Sequence, residues 1–266
     1  MRRRFGRMLA LSAGLLVLGS ACAVDRSRPA TRVEVLQRIL PAAAQVVVER
    51  EGRRVRSGSG VVIAVRESLE ARGCYVMTSG HTLSRKPEEE VYVVLGRGRK
   101  VRTKVRAAVL ARRETADLDL GLLRLAGAPC SAARVGEPPA LGDPILVVAF
   151  PWGRQLTLVS GIVSQVTEDG PGSREPGPRM MVDASVSYGA SGGGVFDAGT
   201  GRLVGLVDSY RTARVTFNVD ARPSHIDVPV PGETVVVPLT DLRRFLLEVG
   251  HADLMGPGDA VAGPQP

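Results

Sequence analysis

From Gln45 to Leu239 the apolar residues come in short runs broken by glycine, proline and charged turns. The runs are QVVVER (45–50), VVIAV (61–65), CYVMTS (74–79), VYVVL (91–95), VRTKVRAAVL (101–110) and LDLGLLRL (118–125). A Pro/Gly/Ala connector follows, AGAPCSAARVGEPPALG (126–142). A second set then begins: PILVVAF (144–150), LTLVSGIVSQV (156–166), RMMVDA (179–184), GVF (194–196), RLVGLV (202–207), ARVTFNV (213–219) and TVVVPL (234–239). Short strands at close spacing predict an all-β barrel or sandwich, not alternating strands and helices. The connector divides the chain into an N-terminal unit over 44–135 and a C-terminal unit over 136–249. Short helices flank them. Val33 to Leu40 has helical spacing and stops at Pro41, and Thr240 opens a helix through Val249 whose Leu242, Phe245, Leu246 and Val249 share a face. Aromatics are only 4%, so the cores are built from Val, Leu and Ala.

Residues 1–21 have the form of an export signal: basic Arg2, Arg3, Arg4 and Arg7, an apolar run from Met8 to Leu18, then small residues. The run is too short for a comfortable membrane span. Its end, Leu18-Gly19-Ser20-Ala21-Cys22, resembles a bacterial lipobox. Cys22 is then the lipidated first residue of a tether over 22–43, and ordinary cleavage after Ala21 is the alternative. Export to the cell envelope and attachment to a membrane through that lipid are the expectations. The net charge of +8 partly belongs to this leader. Cys74 and Cys130 remain, an even pair, and an oxidising compartment would permit one disulfide between them. Arg97, Arg99, Lys100, Arg102, Lys104 and Arg106 crowd one stretch; a solvated outer strand face is expected, with attraction to anionic envelope polymers as the alternative. Residues 167–178 have loop composition, and 250–266 are expected to be disordered. No His/Cys/carboxylate cluster at ligand spacing calls for a metal, no cofactor is indicated, and nothing resembles a nucleic-acid module.

The stretch Asp183 to Val195, DASVSYGASGGGV, centres on Gly189-Ala190-Ser191-Gly192-Gly193. Glycines let the backbone take positive φ and let a second molecule approach closely. That suits a serine hydroxyl meeting a substrate carbonyl, with neighbouring N–H groups turned toward the developing oxyanion. A nucleophilic serine needs a base and an orienting acid. The chain has three histidines, His81, His225 and His251. His81 ends a predicted strand, His225 lies in the proline-rich RPSHIDVPVPG, read as a loop, and His251 follows the last helix.

GSGVVIA (58–64), VMTSGH (76–81), DLGLLRL (119–125) and VDASVSYGASGG (182–193), in that order, resemble the trypsin-like peptidases, and among them the bacterial HtrA/Deg branch. VAFPWGRQLTLVSGIVSQV (148–166) and VVVPLTDLRRFL (235–246) extend the resemblance over roughly residues 33–249. It implies two six-stranded chymotrypsin-like β-barrels with short N- and C-terminal helices. It implies His81 as base, Asp119 as acid with Asp117 as rival, and Ser191 as nucleophile. The N–H groups of Gly189 and Ser191 would form the oxyanion hole, and Ser185, Val186, Asp208, Ser209 and Tyr210 would wall the specificity pocket. The substrate would be polypeptide, cleaved without a cofactor. Four departures stand out. Ala190 replaces the usual Asn or Asp, Gly194 and Tyr188 replace common prolines, and Ser185 stands where trypsin carries aspartate. Small or medium apolar residues are the expected preference, which Asp208 could alter. No PDZ-like domain follows, so peptide sensing and cage assembly are not expected.

Two rival readings remain. Gly189-x-Ser191-x-Gly193 also fits an α/β-hydrolase elbow, with Asp220 or Asp227 and His251 completing it, but an elbow needs a strand–turn–helix and GGGVFDAGTGRLVGLV carries no helix. The other rival is a catalytically weak or inactive protease fold that binds misfolded envelope proteins.

Overall fold

The structure is a computed structural model that describes residues 29–67, 72–83, 86–96, 102–115, 117–167, 180–219 and 222–255. The leader with Cys22, the basic residues Arg97, Arg99 and Lys100, residues 168–178 and the tail beyond Met255 lie outside the described residues.

Helix α1 (Arg32–Ile39) opens with a reciprocal cap, in which Thr31 and Glu34 each bond the other's main-chain N–H. The first half then lays down β1 (Ala43–Arg50), β2 (Arg53–Arg66), β3 (Gly73–Thr78), β4 (Glu89–Leu95), β5 (Thr103–Arg106), β6 (Ala108–Glu114) and β7 (Asp119–Ala126). Their order across the sheet is β5-β4-β1-β2-β3-β7-β6. The two edge strands are consecutive in the chain, with only Ala107 between them. The run predicted as one strand over 101–110 therefore turns at Ala107, and its halves close the two edges of a single barrel. Counted as one bent strand, β5 and β6 make that barrel six-stranded.

The second half holds β8 (Pro144–Ala149), β9 (Thr157–Val166), β10 (Met180–Val182), β11 (Gly194–Asp197), β12 (Leu203–Val219) and β13 (Arg222–Pro238), closed as β10-β13-β12-β11-β8-β9. Helix α2 (Leu239–Glu248) follows directly. The molecule is thus the all-β pair of barrels with two short helices that the sequence implies.

Three apolar clusters explain how the halves sit. Strand side chains alternate between faces, so one strand feeds two cores. Val62, Leu123 and Leu125 fill the first barrel, and Ile145, Val147 and Val195 fill the second. Their neighbours Val61, Ile63, Leu122, Leu146, Val148 and Phe196 turn outward into a third cluster. That cluster lies between the barrels and is covered by Val35 and Ile39 of α1 and by Leu242, Phe245 and Leu246 of α2. One core therefore locks both barrels and both helices together.

The connector is hydrogen-bonded into both halves: Ala133 N–H bonds Val62 O and Gly136 N–H bonds Leu203 O, each at 2.8 Å. Two expectations need correction. The tail expected to be disordered from residue 250 begins as structure, because Ala252–Met255 form a short 3₁₀ turn that buries Leu254 and Met255. RPSHIDVPVPG is strand, not loop. It pairs with 212–219 in a long hairpin, where Ala213 faces Val228, Val215 faces Ile226 and Thr216 faces His225. Cys74 and Cys130 form a disulfide across 56 residues, tying β3 to the chain beyond β7. Among the described basic residues, Lys104 bonds Glu49 and lies 4.2 Å over the Tyr92 ring, and Arg106 pairs with Glu90 at 3.0 Å. These cations sit on an outer face, each with a local partner.

Candidate active site

Strand β3 ends at Thr78, and Gly80–Thr82 form one 3₁₀ turn that carries His81 to the mouth of the first barrel. Asp119 opens β7, separated from β3 by three strands in sequence but hydrogen-bonded to it in space. Its Oδ1 accepts the main-chain N–H of His81 at 2.8 Å, and its Oδ2 takes the hydrogen bond of ring Nδ1. Only glycine fits beside this contact, since a Cβ on Gly80 would stand 2.1 Å from Arg113 O and 2.8 Å from Asp119 Oδ1. Asp117, the rival acid, is exposed.

The Ser191 turn belongs to the second barrel but is fastened from the first. Ser59 of β2 donates its N–H to Ser191 O at 2.9 Å and its hydroxyl to Gly189 O at 2.7 Å. The same hydroxyl accepts the N–H of Phe150 at 2.8 Å, and Ser59 is fully buried. Gly189 and Gly192 take φ of 87° and 82°, the left-handed region that glycine tolerates. Space is short as well, because a Cβ on Gly192 would meet Ser59 O at 2.3 Å. The main-chain N–H groups of Gly189 and Ser191 have no acceptor among the described residues. Two donors lie free on one turn, which is what an oxyanion needs.

His81, Ser191 and Gly189 line one cavity of about 610 Å³ between the barrels. Arg54, Arg56 and Ser57 reach it from the first half, and Trp152, Tyr188, Asp208, Ser209, Tyr210 and Thr212 from the second. Ser191 and His81 share this cavity without a hydrogen bond between them; such bonds commonly tighten only when substrate binds. The hydrogen bond to Asp119 raises the pKa of His81 above its usual 6.5, against the opposing effect of burial, and the charges of Asp119, Asp208 and Glu114 add to the rise. Burial raises Asp208 above the ordinary carboxylate value, Ser209 opposes through a 3.0 Å hydrogen bond, and the nearby Asp119 charge adds to the rise.

The residues expected to wall the specificity pocket line two cavities. Asp208, Ser209 and Tyr210 line the main cavity with His81. Ser185 and Val186 line a separate cavity of about 190 Å³ with Thr157, Val159 and Ala190, and Ser185 Oγ accepts the N–H of Gly232 at 3.1 Å. An aromatic group that sequence reading missed stands at the cleft: the Trp152 and Tyr188 rings are 5.2 Å apart, and Tyr188 meets Tyr210 edge-on at 5.6 Å. Burial, then the Tyr188 hydroxyl, pushes the Tyr210 phenol up to about 12, so it stays protonated near neutral pH. The sole tryptophan, held at a positive φ of 56° beside Gly153, was the available signal. The alternative histidines are elsewhere. His225 lies on the hairpin, and His251 packs 6.4 Å from the Tyr75 ring. Asp227 pairs with Arg214, and Asp220 lies outside the described residues. Among the described residues no group of three or more His, Cys, Asp or Glu is arranged to hold a metal ion.

Two β-barrels with a serine turn and a His–Asp pair facing one cleft define a chymotrypsin-like peptidase domain. The sequence agrees: the profile of the trypsin-like peptidase domain matches residues 58–206, more than half the chain, and the protein belongs to that family. Among curated proteins it is similar to the serine endoprotease DegS of Salmonella typhimurium, at 28% identity over 188 residues, covering 69% of this chain and 47% of that protein. DegS of Escherichia coli K12 is also 28% identical, over 152 residues that cover 56% of this chain and 38% of the relative. The chain thus spans half or less of the curated relatives it matches. Two solved structures share the fold, each with a TM-score of 0.58 over 85% of this chain. One is the serine endoprotease of Yersinia pestis, at 20% identity with 68% of its chain covered. The other is Rv3671c of M. tuberculosis H37Rv in an inactive serine-to-alanine form, at 18% identity with 97% covered.

Proposed function

We propose that the protein is a serine endopeptidase that cleaves polypeptides through Ser191, His81 and Asp119. The observation that carries this reading is the double grip of Asp119 on His81 at a cleft shared with Ser191. With Nδ1 engaged, Nε2 is the ring nitrogen left to accept a proton. Nε2 takes the Ser191 proton as Oγ attacks the peptide carbonyl, while Asp119 fixes the tautomer and stabilises the imidazolium. The carbonyl oxygen, now negative, receives the free N–H groups of Gly189 and Ser191. His81 returns the proton to the leaving amine, and water, activated by the same ring, releases the acyl group from Ser191.

The substrates are unfolded or envelope polypeptides, and the protein acts after export, held to a membrane through a lipid on Cys22. The leader and lipobox-like sequence support that placement. Among the described residues no helix is long and apolar enough to cross a membrane.

Reaction of the full chain with a fluorophosphonate, followed by mass spectrometry, tests the chemistry. An adduct on Ser191 that is absent from Ser191→Ala is the expected result. A folded protein that takes no adduct would instead favour a protease-fold binding module.

A further inference from the structure

The first-barrel wall of the candidate active-site cavity carries cations. Arg54 and Arg56 stand near the start of β2 and line the cavity with Ser57, His81 and Thr82. The two arginines differ in what they meet. Arg56 bonds the carboxylate of Glu89, whose side chain is only 1% exposed. Arg50, outside the cavity lining, meets the same carboxylate at 2.7 Å and Glu88 at 3.8 Å. Arg50 and Arg56 are thus matched by Glu88 and Glu89. Arg54 is exposed, and among the described residues no carboxylate pairs with it. Asp208, the carboxylate that lines the same cavity, comes from β12 and interacts with Ser209, Asp119 and His81 instead.

Arg54 is also held in place. Its Nη1 donates to Gly153 O at 2.8 Å, so the side chain crosses from the first barrel to the second. The fit there is close: a Cβ on Gly153 would stand 2.5 Å from Ser57 Oγ and 2.8 Å from Arg54 Nη1. Gly153 in turn lies against the Ser191 turn. A Cβ on Gly189 would stand 2.9 Å from Trp152 N and 3.3 Å from Gly153 N, and the Trp152 N–H bonds Tyr188 O at 2.6 Å. The guanidinium is therefore fastened to the segment that packs on Gly189, one of the two proposed oxyanion donors. A guanidinium has five N–H donors, and this contact engages one of its nitrogens. A fixed cation with free donors, beside the reacting carbonyl, is suited to an anion.

We propose that Arg54 is a specificity-determining residue that binds a substrate carboxylate on the C-terminal side of the bond to be cut, either an acidic side chain or the free C-terminus of the substrate. The side follows from the chemistry. His81 protonates the leaving amine, so the half of the substrate that carries this amine departs along the His81 wall. That wall belongs to the first barrel, and Arg54 lines it. Guanidinium and carboxylate match in shape, and the charge-assisted bonds between them are stronger than neutral ones. This deepens the peptidase reading and rests on it, because it names what the same site selects.

The test gives the full chain a randomised peptide library in two forms, one with amidated and one with free C-termini, and reads the cut sites by mass spectrometry. Asp and Glu should be enriched about tenfold over Asn and Gln among the first few residues after the cut bond. Enrichment within the amidated library assigns the carboxylate to a side chain. Cuts that gather near the end of free-acid peptides alone assign it to the C-terminus. Arg54→Gln should abolish the preference, Arg54→Lys should keep part of it, and Arg54→Glu should turn it toward Lys and Arg. A merely structural role would impair Arg54→Gln and Arg54→Glu alike, whereas recognition sorts them by charge. Raising the salt concentration should shrink the preference, since the site is exposed. A parent chain with no such preference, or one that Arg54→Gln leaves intact, overturns the proposal. The same library captured on the Ser191→Ala chain separates the two readings. Acid-enriched capture that depends on Arg54, with phosphonate labelling absent, would count against the peptidase reading alone, and capture without enrichment overturns the proposal.

Discussion

One carboxylate fixes both ends of His81: Asp119 Oδ1 accepts its main-chain N–H at 2.8 Å while Oδ2 engages ring Nδ1. Ring orientation and tautomer are set together. Asp119→Asn keeps the shape but offers an amide where an acceptor is required. We expect kcat/KM toward peptides to fall on the order of 10⁴, as in serine-protease triads. A variant that retains the parent's rate would show that Asp119 does not orient the base.

Ser59 joins the barrels at the site. Its hydroxyl donates to Gly189 O and accepts from Phe150 N–H, at 2.7 and 2.8 Å. Ser59→Ala removes two hydrogen bonds to the main chain, each worth about 0.5–1.5 kcal/mol. Urea unfolding should show that order of loss. The turn bearing the proposed oxyanion donors also loosens, so kcat should fall more than KM rises. A larger KM with unchanged kcat would contradict a role in placing that turn.

The pKa of His81 lies above 6.5 through its bond to Asp119. The neutral ring is the base, so the acidic limb of kcat/KM should fall above pH 6.5. Asp208 contributes negative charge to that rise. Asp208→Asn should therefore move the limb to lower pH, and a limb that stays or moves upward would contradict this. Stability follows the same shift. The folded chain holds the His81 proton more tightly than the unfolded chain, so its contribution is full below about 6.5 and fades as pH rises through the folded pKa. Asp208 acts in the same direction, since its raised folded pKa also makes stability fall as pH rises. Its raised pKa makes ionisation oppose folding, so Asp208→Asn should raise the urea midpoint at neutral pH.

The Cys74–Cys130 bridge closes a separation of 56 residues in the first barrel. Replacing both cysteines with alanine should lower stability by roughly 2–4 kcal/mol, read as a shift in urea midpoint. Cys74 is fully buried and meets the first barrel's core, so the substitution also opens a small cavity there. Mass measurement without reductant should find neither of the two thiols free.

The motifs VMTSGH, DLGLLRL and VDASVSYGASGG were legible because each marks a strand end or turn whose local chemistry depends on neighbours in sequence. Glycines at 189 and 192 announced a backbone under close approach, and the structure finds close contacts and positive φ at both. The hairpin was not legible. RPSHIDVPVPG carries three prolines, a loop signal when read alone, and two of them are accommodated only because they sit on the outer edge opposite Asn218 and Thr212.

The sequence by itself determined the short strands, their two groups, the closing helices, and the family, since apolar alternation and glycine placement are local quantities. Only the tertiary structure decided which carboxylate reaches His81, that Cys74 meets Cys130, and that Ser185 and Val186 line a different cavity from Asp208. It also decided that Ser59 spans the two barrels and that Arg54 reaches Gly153 across them. Each of these depends on the distance between residues far apart in the chain. That distance is set by how the third apolar cluster packs one barrel against the other, which no local pattern encodes.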